Sequence, residues 1–378
     1  GSPLYGVQAA FFDYLLRDHP AEVLDGKDDP IVLVGYDESA VEVYGQIPQR
    51  GVLDSALRLI LAAEPSAVVL DYQFTQPDLI AASVADALRE VQTAAGPSRA
   101  VAAAAEAAAI RHDQTARLLR TIPDERIVGT FYPAGKTESG PEVVRAPPFP
   151  PSQLDTVRCE QFRGATEVTL DRAEFLAAYA NYGSARQEPD PDGVIRRYPL
   201  FIRMGKDLYP SLALVAASLH GGGFGASVEC DPGSGRAVTS FSIGPEVPID
   251  LADYPDGRVW IRYGGSFAQS FPHWVPFAEL MSGRVGPERL AGKAVFIGPR
   301  SDYEDKYATF ADIRFPGVAI HATVAHSLIT GRSLQRPWVL VRVWEPLLCL
   351  LAGLLVAGLF HRVQSSALLL LAAAFLAA

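Results

Sequence analysis

Apolar positions along this chain fall into three kinds of run, and each kind predicts a different element. Short continuous runs read as strands buried on both faces. They are Ile31-Val32-Leu33-Val34-Gly35-Tyr36, Ala67-Val68-Val69-Leu70, Ile127 to Tyr132, and Lys293-Ala294-Val295-Phe296-Ile297-Gly298. Apolar residues at helical spacing predict helices over Leu4 to Leu16, Val52 to Ala63, Leu212 to His220 and Val318 to Thr330. Gly221-Gly222-Gly223 stops the third of these helices and Gly331 the fourth. Weaker strand signals lie at Ala178 to Tyr182, Ile195 to Arg203, Val238 to Ile243 and Val259 to Tyr263. The turn Glu188-Pro189-Asp190-Pro191-Asp192-Gly193 separates the first two.

Strand, helix, strand within the first part of the chain is a βαβ unit, and such crossovers build parallel sheets. Residues 78–121 are almost wholly helical in character, divided by Gly96-Pro97-Ser98, and nearly all alanine from Ala100 to Ile110. Alanine forms helix readily but fills a core poorly, so this stretch reads as an inserted helical hairpin. It could present a surface to a partner or stand as a solvated insertion. The predicted fold class is α/β, with a largely parallel central sheet flanked by helices, an inserted helical hairpin, and transmembrane helices after it. Residues 1–30 form a membrane-proximal leading helix, and 31–335 form the globular domain.

The third kind of run is longer. Trp338 to Phe360 carries charge only near its start, at Arg342 and Glu345, and Pro346 to Phe360 carries none. As helix it would reach about 34 Å, enough to cross a hydrocarbon core. Trp338 and Trp344 suit the headgroup region. After a polar break at His361 to Ser366, Ala367 to Ala378 is apolar throughout. These two segments, 338–360 and 367–378, predict membrane helices, the second cut short, so the chain reads as a fragment. The break carries His361 and Arg362 and no acid, which favours the cytoplasm and puts the large domain outside.

Composition changes the picture little. The 378 residues are 49% hydrophobic and 20% charged, ample for a core, and the net charge is −10. With no basic patch carrying interleaved aromatics, nucleic acid is excluded as a partner. Cys349 falls in the membrane run, which leaves Cys159 and Cys230 either bridged or free. No leader peptide is legible after Gly1-Ser2-Pro3, so an N-terminal anchor would lie upstream.

Candidate chemistry is sparse. The sequence holds no P-loop, no Gly-x-Ser-x-Gly elbow and no His-Glu-x-x-His helix. A tethered hydrolase is thereby disfavoured. His321 and His326, five apart, point to different faces of a helix, and His321 reads as a packed structural residue rather than a zinc ligand. Asp190 to Gly193 lacks the alternating ligands of a calcium loop and reads as a turn. One constellation stands out. Asp37, Asp71 and the Gly298-to-Asp305 loop, with Asp302 and Asp305, each follow an apolar strand. If those strands are parallel, the acids share the carboxyl edge of one sheet, where open α/β folds bind ligands. Arg50 and Arg300 could reach the same edge. Asp37, Asp71 and Asp305 could hold a divalent cation such as magnesium or calcium, or the arginines could neutralise them. In the plainer alternative, Asp37 and Asp71 cap helices and pair with Arg50.

Several short motifs, in order, resemble the type-two class of the CHASE family of extracellular sensory domains. They include Phe12-Asp13, Gly35-Tyr36-Asp37-Glu38-Ser39, the pair Pro48 and Arg50, and Leu70-Asp71-Tyr72-Gln73-Phe74. Further along come Asp190 to Arg197, Tyr209-Pro210-Ser211-Leu212-Ala213, Leu290 to Gly298, and Pro316 to Ala322. The hairpin near Leu79 to Ala109, Pro299-Arg300 and Thr309-Phe310 depart from the family's pattern. The resemblance implies a sensor outside the cell membrane, with membrane helices relaying to a cytoplasmic output domain. That output is expected to be an adenylate or guanylate cyclase, with histidine kinase, serine/threonine kinase and diguanylate cyclase as alternatives. A lipid bilayer, an unknown extracellular ligand and a second copy of the chain, in a homodimer or higher oligomer, are the expected partners. A membrane-tethered oligomerisation scaffold is the rival reading. No catalytic residue is expected in these residues.

Overall fold

The computed structural model describes residues 28–76, 114–134 and most of 162–332 continuously or nearly so, together with 345–362 and scattered positions elsewhere. Two compact units make up the chain, Gly1–Asp18 with Leu334–Ala378, and His19–Ser333.

The larger unit is built on a parallel sheet. Its strands are β1 (Ile31–Tyr36), β2 (Ala67–Leu70) and β3 (Ile127–Ala134). An antiparallel neighbour of β3 is β4 (Glu167–Thr169), and β5 (Asn181–Ser184) pairs parallel to it. Away from this sheet, β6 (Arg197–Pro199) pairs with β12 (Arg258–Trp260), and β7 (Phe201–Met204) with β8 (Asp207–Pro210). Strands β9 (Phe224–Gly225), β10 (Ser240–Ile243) and β11 (Val247–Asp250) form a small sheet of their own. Two late strands, β13 (Val275–Pro276) and β14 (Ala294–Pro299), return to the main sheet, and β15 (Lys306–Tyr307) pairs with β16 (Phe315–Pro316).

The parallel order is β13-β1-β14-β2-β3-β5. Strand β14, near the end of the domain in sequence, is therefore inserted between the two strands of the first βαβ unit. Its register with β1 runs from Ile31 opposite Ala294 to Tyr36 opposite Pro299. All six residues of β1 are buried, which is why its apolar run shows no alternation.

The helices, in order, are α1 (Glu38–Tyr44), α2 (Arg50–Leu61), α3 (Thr115–Thr121), α4 (Ala173–Leu176) and α5 (Leu212–His220). They continue as α6 (Phe267–Ser270), α7 (Phe277–Met281), α8 (Gly317–Ile329) and α9 (Glu345–Arg362). Successive side chains on a strand point to opposite faces. Val32, Val34, Val68, Leu70, Val295 and Ile297 accordingly meet Leu53, Leu57 and Ile60 of α2, Leu118 of α3, and Phe277 of α7. Against the other face, α5 and α8 pack on each other, both made almost wholly of buried residues.

The expected hairpin over 78–121 lies outside the described residues, apart from helical positions 87, 90 and 93 and its end, where α3 packs on α2. Among the described residues no helix is long and apolar enough to cross a membrane. The part of the 338–360 run before 345, and most of 367–378, lie outside them. Helix α9 runs for 18 residues, and its described leucines are exposed, Leu354 by 61% and Leu355 by 65%.

Candidate functional site

Two adjacent strands of the main sheet send the chain in opposite directions. After β2 the chain leads to α3 on the face that carries α2, whereas after β14 it returns as α8 on the opposite face. Such a divergence opens a crevice at the carboxyl ends of the strands. A cleft of about 220 Å³ lies there. Its walls include Asp71 just past β2, Thr130 and Tyr132 of β3, Gln187 past β5, Tyr307 of β15, and Gly317 and His321 of α8.

Gly298 lets α8 approach so closely. A Cβ there would lie 2.7 Å from Cβ of Val318 and 3.1 Å from Cβ of Asp71. The first turn of α8 therefore rests directly on the sheet edge, and its N-terminus borders the cleft.

The floor is a hydrogen-bonded chain. Gln187 Nε2 donates to the Gly317 carbonyl at 2.8 Å and lies 3.0 Å from His321 Nε2. An amide nitrogen only donates, so that ring nitrogen accepts and the imidazole proton sits on Nδ1. Nδ1 is 2.6 Å from the Tyr198 hydroxyl. Burial without a charged partner drives the His321 pKa down to about 3, so the ring is neutral across the physiological range. Both of its nitrogens are committed to structure.

Two further oxygens of cleft-lining residues are enclosed by protein. Gln187 Oε1 and Thr130 Oγ1 are buried and have no hydrogen-bond partner, and their residues are 7% and 1% exposed. A buried polar atom left unmet costs roughly 1–3 kcal/mol.

The residues singled out from the sequence divide. Asp71 lines the cleft. Asp37 sits at the end of β1, with β14 between it and β2, so the two strand ends are about two spacings of 4.8 Å apart. Its carboxylate caps α1, accepting from Ala40 N at 3.3 Å and from Ser39 Oγ at 2.8 Å. Arg50 is turned to another task. Its guanidinium lies 4.9 Å from the Phe175 ring and 5.8 Å from that of Phe74, and donates to Thr115 Oγ1 and the Gln76 carbonyl. Arg300 stacks 4.0 Å from the Trp274 ring centroid and approaches Glu38 at 4.0 Å. Asp302 and Asp305 lie outside the described residues. Among the described residues no three His, Cys, Asp or Glu side chains group closely enough to hold a metal ion.

Sequence reasoning did not find Thr130 or Gln187. Thr130 lies inside an apolar strand, and Gln187 follows a strand whose signal was read as Ala178 to Tyr182, ahead of its true end at Ser184. Strand-edge position was the one available signal, and it was spent on acids.

A second charged group is structural. Asp190 Oδ1 accepts from Arg197 Nε at 3.0 Å, and Arg196 and Arg258 stand 3.6 and 3.5 Å from its carboxylate. Arg196 also grips Asp192 with two bonds of 2.9 and 2.8 Å. Gly193, at φ +84°, closes the turn in the left-handed region. The segment is thus a turn fastened by arginines, as its spacing predicts.

A family model for the CHASE2 domain matches residues 2–360. No curated protein and no solved structure matches the chain. The family match covers the sheet, the cleft, the arginine-fastened turn and α8 together, and the chain belongs to the CHASE2 family, an extracellular sensory domain of signalling proteins.

Proposed function

We propose that the cleft beside Asp71 is the place where this sensor meets its stimulus. The observation that carries the reading is the cleft of about 220 Å³ at the carboxyl edge of the sheet, lined by Asp71, Thr130, Tyr132, Gln187 and the first turn of α8. For signalling, an occupant of the cleft must bind more tightly in one arrangement of α8 and β14 than in another. Only such a difference in affinity shifts a conformational equilibrium. Helix α8 is the natural carrier of the shift, since its first turn rests on Gly298 and its length packs along α5.

The relay beyond the domain runs, in this reading, through membrane helices over 338–360 and 367–378 to a cytoplasmic output domain, an adenylate or guanylate cyclase. Two features support it. The 338–360 run suits a bilayer by length and composition, and the exposed leucines of α9 want a non-aqueous surrounding. Homodimerisation fits such a relay. A histidine or serine/threonine kinase, or a diguanylate cyclase, would serve the same relay.

Ala185→Leu narrows the cleft from a wall position. Placed in the complete signalling protein, it is expected to alter cyclase or kinase output or its response to the medium. Output that matches the parent under all media, with the variant folded, would overturn the cleft as stimulus site. An output that instead follows only the oligomeric state would favour the scaffold reading.

A further inference from the structure

Helix α8 ties the two edges of the main sheet together. Its first turn rests on Gly298 at the carboxyl edge, and its last turn carries His326 back to the amino edge. There His326 Nε2 lies 3.9 Å from Oδ1 of Asp29. The same oxygen accepts from Ile31 N at 2.9 Å and so fixes the start of β1. The pair thus joins the strand by which the chain enters the sheet to the helix by which it leaves, since the unit ends at Ser333.

At 3.9 Å the two groups are too far apart for a hydrogen bond. The side chains of His326 and Asp29 are 16% and 20% exposed, so protons of the medium reach them. Asp29 also borders a cavity of about 20 Å³, which leaves its carboxylate room to shift. Few other charges face the pair. Lys293 at the foot of β14 and His273 act on Asp29, and Arg332 acts on His326. Arg289 borders the same cavity but donates to the His273 carbonyl at 2.7 Å. His220, in the last turn of α5, lies 2.8 Å from Ser66 Oγ instead. Burial holds the His326 imidazole below its ordinary 6.5 despite the Asp29 carboxylate, and burial raises Asp29 above its ordinary 3.8. At neutral pH the pair is therefore a carboxylate beside a neutral ring, and it takes up its first proton below pH 6.5.

We propose that Asp29 and His326 form a proton-operated latch at the exit of the domain, open at neutral pH and closed in a mildly acidic medium. A proton on the ring turns the two groups into an ion pair, and closing by about 1 Å makes a charge-assisted hydrogen bond near 2.8 Å. A proton, like any ligand, favours the arrangement that holds it more tightly, and the closed pair does so. A positive ring in the last turn also suits the negative end of the α8 dipole. Stronger acid, which protonates Asp29 as well, releases the latch. Closing draws the end of α8 onto the start of β1, and α8 is the element that carries the relay proposed above. The effect on output rests on that relay; the latch itself rests neither on the relay nor on the cleft.

Three measurements test the latch. NMR titration of the imidazole protons of the whole chain in detergent micelles gives the pKa of His326, with His326→Gln identifying the signal. Asp29→Asn, which keeps an oxygen for Ile31 N, is expected to lower that pKa by about one unit, tenfold in proton affinity. An unchanged value would overturn the latch. Unfolding of Asp29→Asn, His326→Gln and the double variant gives their coupling. The coupling is expected to grow about tenfold in the unfolding constant between pH 7.5 and one unit below the measured pKa. Equal coupling at both pH values means a fixed contact and overturns the latch as well. Should Asp29→Asn not fold at pH 7.5, Asp29→Ser takes its place. In the complete signalling protein, cyclase or kinase output should differ between media of pH 7.5 and 5.5 in the parent and in neither single variant. A latch that couples as expected while output ignores both pH and the variants overturns the switch and the α8 relay, and Ala185→Leu still decides the cleft.

Discussion

Gly298 and Val318 meet so closely that a Cβ on the glycine would stand 2.7 Å from both Cβ and Cγ2 of the valine. No real Cβ contact is that short, and Cβ of Val318 is fixed to the backbone of α8. The strand end and the first turn of the helix are thus one packed unit.

Gly298→Ala must therefore push α8 off the sheet edge or strain it. Overpacking of this kind costs about 1–3 kcal/mol. Denaturant unfolding of Gly298→Ala, Val318→Ala and the double variant should show coupling of at least about 0.5 kcal/mol, because the residues touch. Additive effects would place the two residues in separate packing units.

Burial holds His321 neutral with a pKa of about 3, well under its ordinary 6.5. Below pH 6.5 the unfolded chain takes up a proton that the folded one refuses. Stability from this residue is fully present above pH 6.5 and is lost as pH falls toward 3, with a slope of up to about 1.4 kcal/mol per pH unit. His321→Gln removes that slope, and it lowers stability at neutral pH by breaking the contacts to Tyr198 and Gln187. Unfolding followed from pH 4 to 8 in both proteins checks the sign.

Asp171 behaves in the opposite sense. Its Oδ1 accepts from Phe74 N at 2.7 Å, its Oδ2 is buried and unmet, and burial raises its pKa to about 7 despite the pull of Arg50. The folded state keeps the proton longer than the unfolded one. Its contribution is fully present below about pH 4 and is lost as pH rises through 7. Asp171→Asn should flatten that decline and be at least as stable as the parent above pH 7. A variant that is less stable at pH 8 than at pH 5 by the parent's margin would contradict this.

Arg50 belongs to the core of the α2 face. Sandwiched near Phe74 and Phe175 and bonded to Thr115 and the Gln76 carbonyl, it uses a planar, forked guanidinium that lysine does not have. Arg50→Lys is expected to lower stability by roughly 1–3 kcal/mol while leaving the affinity of any ligand at the Asp71 cleft unchanged. Thermal unfolding and calorimetry on the same sample separate the two effects.

Asp190 neutralises arginines that bury almost completely around it, Arg196 and Arg258 being 3% and 4% exposed. Asp190→Asn strips that charge and should cost about 3–5 kcal/mol, as breaking a buried pair from one side does. Asp192→Asn, whose carboxylate is 38% exposed, should cost far less. Urea unfolding of the two variants gives the comparison.

Local residue order was enough to read the parts of this protein. Uninterrupted apolar runs marked β1, β2, β3 and β14 nearly residue for residue, because strands buried on both faces have no polar side to hide. Helical spacing and glycine stops marked α5 and α8 for the same local reason. The family was legible as well, through motifs whose order survives even where each is short. Residue order also put Asp71 at a sheet edge. It could not say that β14 would slip between β1 and β2, since pairing partners are chosen by packing across the whole chain. That insertion separates Asp37 from Asp71, and the opposite exits of β14 and β2 open the cleft. Gln187 and His321, 134 residues apart, meet only because β5 and α8 end at the same edge. Which oxygen was left unmet there was settled by tertiary contact, where hydrogen bonds are allotted atom by atom.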